Sequence, residues 1–299
     1  KTSDPIAKPV QRDWYLVNLK VFLILLVIFH HAGPAYSDSD NWMYQPSLDN
    51  AQFDVSFFAV NASFFMGLYF LIFACFLPSS YDRHGFRGFI SAKFPHLGIP
   101  LLFFTVLCSV VTGHVEVGHL WFVERLLFYS LVYALFRFVV RKPMRVQSGV
   151  NVVWIVFAVI IFLQLIIGYV LPDRLQLEMF ERFALSGTDH LAQHVALFVT
   201  GTVAWRGKLV SSNNATYGHD ALRPGIVVGP IGLSAALFPV PVIVDRSFMG
   251  GGRCFCFSLS FGLVAPCRFC FGKTSWIMQW IAAQSYAAYL VHIFVILGL

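Results

Sequence analysis

Apolar residues in this chain fall in long runs rather than in the one-sided stripes of a water-facing helix. Nine runs are read, at about 19–36, 53–77, 97–113, 119–139, 150–171, 190–205, 224–244, 254–271 and 276–299. A helix needs roughly 20 residues to cross the hydrocarbon of a bilayer. Most of the runs meet that length, and the sixth and eighth match it least well. The pattern predicts an all-α, polytopic transmembrane helix bundle forming a single domain over 1–299, with about nine helices present. The sequence has no repeat at a solenoid period, no long low-complexity tract and no glycine-rich phosphate loop. It starts at Lys1 and stops at Leu299 inside an apolar run, so the expectation is of a chain trimmed at both ends.

Composition agrees with the pattern. The 299 residues are 58% hydrophobic and 12% charged, with a mean hydropathy of +0.70. A water-soluble domain of this size could not hide that much apolar surface. The net charge of +6 points to the bilayer surface rather than to nucleic acid, because the cations lie between the apolar runs. Lys1, Lys8 and Arg12 precede the first run, and Asp38, Asp40 and Asp49 follow it. Arg83, Arg87 and Lys93 come after the second run, Arg141, Lys142 and Arg145 after the fourth, and Arg206 and Lys208 after the sixth. The positive-inside rule puts the amino terminus in the cytoplasm. By that count the loop with Asp245, Arg246 and Arg253 falls outside, against the rule. Residues 37–39 mimic a signal-peptide cleavage site, but eight further apolar runs follow, and cleavage there would discard the polar residues of the first run.

Those polar residues carry the candidate chemistry. In "LKVFLILLVIFHHAG" Lys20 and His31 are eleven positions apart. At about 100° per residue they share a face, with His31 roughly 16 Å farther along the axis. His30 points about 80° away. Ionisable groups at such depth usually face a bundle interior or a wet cavity. The alternative is that Lys20 snorkels to one surface while His30 and His31 mark the other boundary of a short span. Pro34 predicts a bend just beyond them. In "GHLWFVER" His119 and Trp121 sit near the outer end of the fourth run, with Glu124 and Arg125 deeper. In "SYAAYLVHIF" Ser285, Tyr289 and His292 fall at i, i+4 and i+7 on one face. The predicted topology brings His31, His119 and His292 to similar depth, where Asn61 can join them. Interfacial anchoring, helix-to-helix pairing and interhelical glue remain alternatives for these residues.

On the cytoplasmic side Arg83, His84, Arg87, Lys93 and His96 precede the third run. They read either as a positive-inside anchor or as a cradle for a phosphorylated donor. No metal is expected. Cys254, Cys256, Cys267 and Cys270 have ligand-like spacing, but the residues between them are apolar. His190 and His194 share a helix face without an evident third ligand.

Seven stretches together resemble the acyltransferase-3 family of membrane O-acyltransferases, and within it the glucan-succinylating group: "NLKVFLILLVIFHHA", "SFFMGLYF", "FLPSSYDRHGFRGF", "LGIPLLFF", "GHLWFVERLLFYSLVYALFR", "HVALFVTGTVAWRG" and "SYAAYLVHIF". The resemblance implies about ten transmembrane helices, one of them after Leu299, and an integral multi-pass protein of a bacterial cytoplasmic membrane. It implies transfer of an acyl group from acyl-coenzyme A, the donor substrate, to a hydroxyl of a carbohydrate or glycolipid acceptor. The family's arginine-then-histidine pattern in the first helix falls on Lys20 and His31, with lysine in place of arginine. The paired arginines before its third helix fall on Lys93 and His96, and its small Ser-Gly pair falls on Phe73 and Ala74. Segment 245–273 resembles the family least. On this reading His31 is the general base, with His119 and Glu124 in the catalytic group. Lys20, Arg83, Arg87 and Lys93 hold the donor's phosphates, and His30, Asn61, Trp121, Ser285, Tyr289 and His292 line the acceptor site. Buried histidines and a glutamate fit a proton-coupled transporter equally well. An inactive membrane scaffold of the same fold is the third reading.

Overall fold

The computed structural model describes residues 13–32, 55–113, 117–141, 191–207 and 271–296, with isolated positions at 155, 158, 159, 162, 260, 264, 267 and 298. The runs expected at 150–171, 224–244 and 254–271, Pro34, His190, and Cys254, Cys256 and Cys270 lie in whole or in large part outside the described residues. Where described, the chain is helical: α1 (Trp14–Ala32), α2 (Val55–Lys93), a π-helical turn (Phe94–Gly98), α3 (Ile99–Thr112), a 3-10 turn (Gly118–Leu120), α4 (Trp121–Val139), α5 (Leu191–Arg206) and α6 (Trp276–Ile296). Among these residues two stretches, Trp14–Ala32 and Phe64–Val111, are long and apolar enough to cross a membrane.

Helix α1 starts five residues before the expected run and ends at Ala32. The extra turn carries buried Tyr15 and Leu16 and is tied down by Asn18, whose amide donates to the carbonyls of Phe271 and Lys273, both at 2.9 Å. Leu16, Leu19, Leu23 and Val27 are buried along one side, while Phe22, Leu25 and Phe29 are exposed on the other. Exposed apolar side chains on a helix of this composition are the pattern of a lipid-facing surface. Helix α3 shows it most strongly, with Leu102 69% and Val110 76% exposed.

Helix α2 has 39 residues, well beyond the roughly 20 that span a bilayer. The excess lies after Pro78, where the sequence turns polar, and the path changes at Gly85, whose φ of 65° lies in the left-handed region that glycine tolerates. The expected basic loop between the second and third runs is therefore helical rather than irregular. Helix α2 packs most extensively on α5. There Gly201 lies against the Leu71 carbonyl and Ala74, leaving no room for a Cβ, and the Cys75 thiol points at the Gly201 carbonyl at 3.5 Å. Small residues let two helices approach closely where water cannot drive their association.

Contacts at the helix ends fix relative directions. Helices α1 and α6 touch near their beginnings, through Asn18 and the residues just before α6, and near their ends, through His31 and His292. They run in the same direction. Helix α4 begins beside the end of α6, where His119 meets Leu290, and ends beside Asp82 and α5. Helix α2 meets the end of α1 through Asn61 and His30 and carries Asp82 to the far end. Thus α2, α4 and α5 run opposite to α1 and α6, the alternation that the loop charges predict.

Candidate active site

The imidazoles gather where α1 and α6 end and α4 begins. His31 Nδ1 and His292 Nε2 are 2.7 Å apart. Their ring planes differ by 6°, with centroids 5.0 Å apart. His292 Nδ1 lies 2.5 Å from the Tyr289 carbonyl one turn back. The Tyr289 hydroxyl donates to the His119 carbonyl at 2.5 Å, and His119 Nε2 donates to the Leu290 carbonyl at 3.4 Å. These reciprocal bonds clasp α6 to the turn that opens α4. His119 and His292 meet edge to face at 5.3 Å. On the other side of α1, the Asn61 amide donates to His30 Nδ1 at 3.2 Å, and the His30 ring lies 5.2 Å from Phe65.

Ser285, Tyr289 and His292 are all buried, as their common face requires. The Ser285 hydroxyl donates to Ala282 of its own helix at 2.9 Å and touches none of the histidines. Trp121 lies apart from the pair His31 and His292. Its ring stacks on His194 at 5.7 Å and lies under the Arg125 guanidinium at 4.8 Å. Glu124 lines an apolar cavity of about 340 Å³ with Phe94, Gly98, Ile99, Leu102 and Thr105. Its buried Oε2 has no hydrogen-bond partner among the described residues, and no described contact joins it to the histidines.

The opposite end of the bundle is cationic. Lys20, Lys93 and His96 lie close enough to influence one another's charge. The Lys93 ammonium sits over the rings of Phe73 at 4.9 Å and Phe89 at 5.7 Å, which gives Phe73 a partner suited to an aromatic face. The His96 ring stacks on Tyr286 at 5.1 Å, and the buried Tyr286 hydroxyl has no partner among the described residues. Arg83 and Arg87 are exposed on the polar part of α2. Lys20 and His31 thus belong to opposite ends of one helix, about 16 Å apart along its axis.

Two polar constellations have partners that the sequence does not name. Arg206 holds Asp82 with both guanidinium branches, at 2.5 and 2.9 Å, and Arg137 adds a bond at 3.2 Å. Arg206 is one of the plus signs that orient the chain and Arg137 lies inside the fourth run, but neither loop counting nor periodicity tells that one aspartate on α2 collects both. The second is Arg125, fully buried, which donates to His194 Nδ1 at 3.0 Å. His190, the other member of the spaced pair with His194, is outside the described residues. The only signal for the contact of Arg125 with His194 is that an arginine within an apolar run has to meet a polar side chain.

The family model for the acyltransferase-3 group, described as an acyltransferase domain, matches residues 13–299, nearly the whole chain, and the protein belongs to that family. It is an acyltransferase, a transferase of groups other than aminoacyl groups. No curated protein matches the chain, and no solved structure does.

Proposed function

We propose that this member of the acyltransferase-3 family is an integral membrane O-acyltransferase that moves an acyl group from cytoplasmic acyl-coenzyme A to a hydroxyl of a glycan or glycolipid. The observation that carries the proposal is the separation of charge types along α1. Imidazoles in mutual contact stand at one end and a group of cations at the other. A donor rich in phosphate is attracted to Lys20, Lys93, Arg83 and Arg87, and its thioester arm then has one helix length to cover before it reaches His31. A neutral hydroxyl acceptor needs no cation and enters at the histidine end.

In the transfer itself, an imidazole nitrogen of His31 takes the proton of the acceptor hydroxyl as that oxygen attacks the thioester carbonyl. The tetrahedral centre collapses with loss of the carbon–sulfur bond. The departing thiolate recovers the proton from the imidazolium, so the histidine ends as it began. Donors around the ring, chiefly the amide of Asn61 and the N–H of His30, supply hydrogen bonds to the acceptor and to the developing oxyanion. An acyl-histidine intermediate is the less favoured route, because a base beside a bound hydroxyl makes direct attack available. The likeness to the glucan-succinylating group makes glucans the first acceptors to test.

The experiment is reconstitution of the purified protein with radiolabelled acyl-coenzyme A and a panel of glycans. Wild-type protein labels a glycan, and His31→Ala does not, while both elute as the same folded species. Equal labelling by the two proteins removes His31 from the chemistry. Substrate flux driven by a pH gradient, without consumption of acyl-coenzyme A, would instead favour a proton relay built from the same histidines.

A further inference from the structure

We propose that His292 is a positioning residue, holding His31 in the tautomer that carries its proton on Nδ1 and presents the Nε2 lone pair to the acceptor hydroxyl. The inference rests on the reading of His31 as the base and adds which nitrogen acts and what selects it.

A carbonyl oxygen accepts hydrogen bonds and has none to give. His292 Nδ1, at 2.5 Å from the Tyr289 carbonyl, therefore carries a hydrogen. A neutral imidazole has one N–H, which leaves Nε2 of His292 as an acceptor. That nitrogen is 2.7 Å from His31 Nδ1, so His31 Nδ1 is the donor. In neutral His31 the lone pair then belongs to Nε2. The ring geometry suits such a bond. Planes within 6° of parallel, with nitrogens too close for face-to-face stacking, place the rings edge to edge, with the N–H and the accepting lone pair in a common plane.

Reversing the bond requires a doubly protonated His292. That residue is 4% exposed, neighbours His119 and His31, and has no carboxylate against it among the described residues. A buried charge without an opposing one is costly, so the neutral form prevails. The anchor is also fixed. Tyr289 is held by its hydroxyl to the His119 carbonyl, and His119 returns a bond to Leu290. The Tyr289 carbonyl cannot move without breaking the clasp between α6 and α4. It does for His292 what a second-shell carbonyl or carboxylate does for a catalytic or metal-bound imidazole, which is to settle the tautomer through the nitrogen that does not react.

The test uses the whole chain in lipid nanodiscs with histidines labelled with nitrogen-15, and His31 is assigned by the signals lost in His31→Asn. Nitrogen shifts separate protonated from unprotonated ring positions. The expected spectrum at neutral pH has a protonated Nδ1 and an unprotonated Nε2 on His31. His292→Leu should move the proton of His31 to Nε2. His292→Gln should preserve Nδ1–H, because its amide can donate to the Tyr289 carbonyl and its oxygen can accept from His31. Turnover, read as thiol release from acetyl-coenzyme A with glucose oligosaccharides, should fall about 100-fold or more in kcat for His292→Leu. It should be largely restored in His292→Gln, with the donor KM unchanged in both. A wild-type spectrum with the proton on Nε2 overturns the proposal, as does a His292→Leu spectrum in which the His31 nitrogens are unmoved. The shifts are read without turnover, so they decide the tautomer independently. Undiminished turnover by His31→Ala overturns the base reading alone.

Discussion

Asp82 is the one acid that ties α2 to both α4 and α5 among the described residues, and removing it should loosen the cationic end of the bundle. It accepts three bonds, from Arg206 at 2.5 and 2.9 Å and from Arg137 at 3.2 Å. Hydrogen bonds to charged groups contribute about 1.5–3 kcal/mol each when buried. The aspartate side chain is 40% exposed, whereas Arg206 is 16% and Arg137 8% exposed, so screening on the acid's side holds each bond below that buried range. Asp82→Ala should therefore cost about 2–4 kcal/mol, because it removes the acceptor and leaves two enclosed guanidiniums side by side. Asp82→Asn keeps one oxygen and should cost roughly half as much. The measurement is reversible denaturation of the protein in mixed micelles, followed by helix ellipticity, for Asp82→Ala, Arg206→Gln and the double variant. A coupling of about 1–2 kcal/mol between the two positions is expected, since they are in direct contact. Additive single effects, or an Asp82→Ala protein as stable as wild type, would refute the assignment of these bonds to stability.

Three further outcomes follow from the packing and the charges. Gly201→Val should separate α2 from α5, because any Cβ there collides with the Leu71 carbonyl; a loss of at least about 2 kcal/mol in the same denaturation assay is expected, in the upper range for overpacking. Lys20→Ala should raise the KM for acyl-coenzyme A with a smaller change in kcat, and Lys20→Arg should match or improve on wild type, since a guanidinium can grip phosphate with two parallel bonds; steady-state kinetics on the reconstituted enzyme tests both. Arg125→Leu should cost about 2–5 kcal/mol, and pairing it with His194→Phe should recover part of that loss, because isolating one buried polar partner is worse than replacing both; thermal unfolding in detergent reads the difference.

Much of the helix layout was legible because a membrane chain writes its fold in long apolar runs. The fourth and last runs coincide with α4 and α6 to within a few residues, and the sixth with α5. Misses occur where polarity and helicity part company. Helix α1 begins ahead of the expected run because Tyr15, Leu16 and Asn18 are buried in the bundle, with Asn18 held by contacts near residue 271; a run begun beside Lys20 leaves them out. The stretch from Ser79 to Lys93 is helical despite its charges, since a helix leaving the bilayer needs no apolar face all round. Gly85 is where that departure is redirected.

The site was legible to the degree that it is periodic. A spacing of eleven residues puts Lys20 and His31 on one face, and spacings of four and three put Ser285, Tyr289 and His292 on another. Alternating loop charge then predicts that the first and last runs point the same way, which lets two distant histidines meet at 2.7 Å. Periodicity cannot specify which atoms of a shared face touch. Ser285 has the spacing but turns back to its own helix. Trp121 stands two residues from His119 but faces Arg125 and His194 instead. Glu124, five residues on, lines a cavity with α3. His119 lies in the 3-10 turn at Gly118–Leu120, and Trp121 and Glu124 lie in the first turn of α4. His119 meets α6 at Leu290, whereas Glu124 lines the cavity with α3 and Arg125 meets His194 of α5. At about 100° per residue Trp121 and Glu124 lie roughly 160° and 140° around the axis from His119, so α-helical geometry already turns them away from the histidines; similar depth along the fourth run groups these residues in the sequence, and depth does not specify a face.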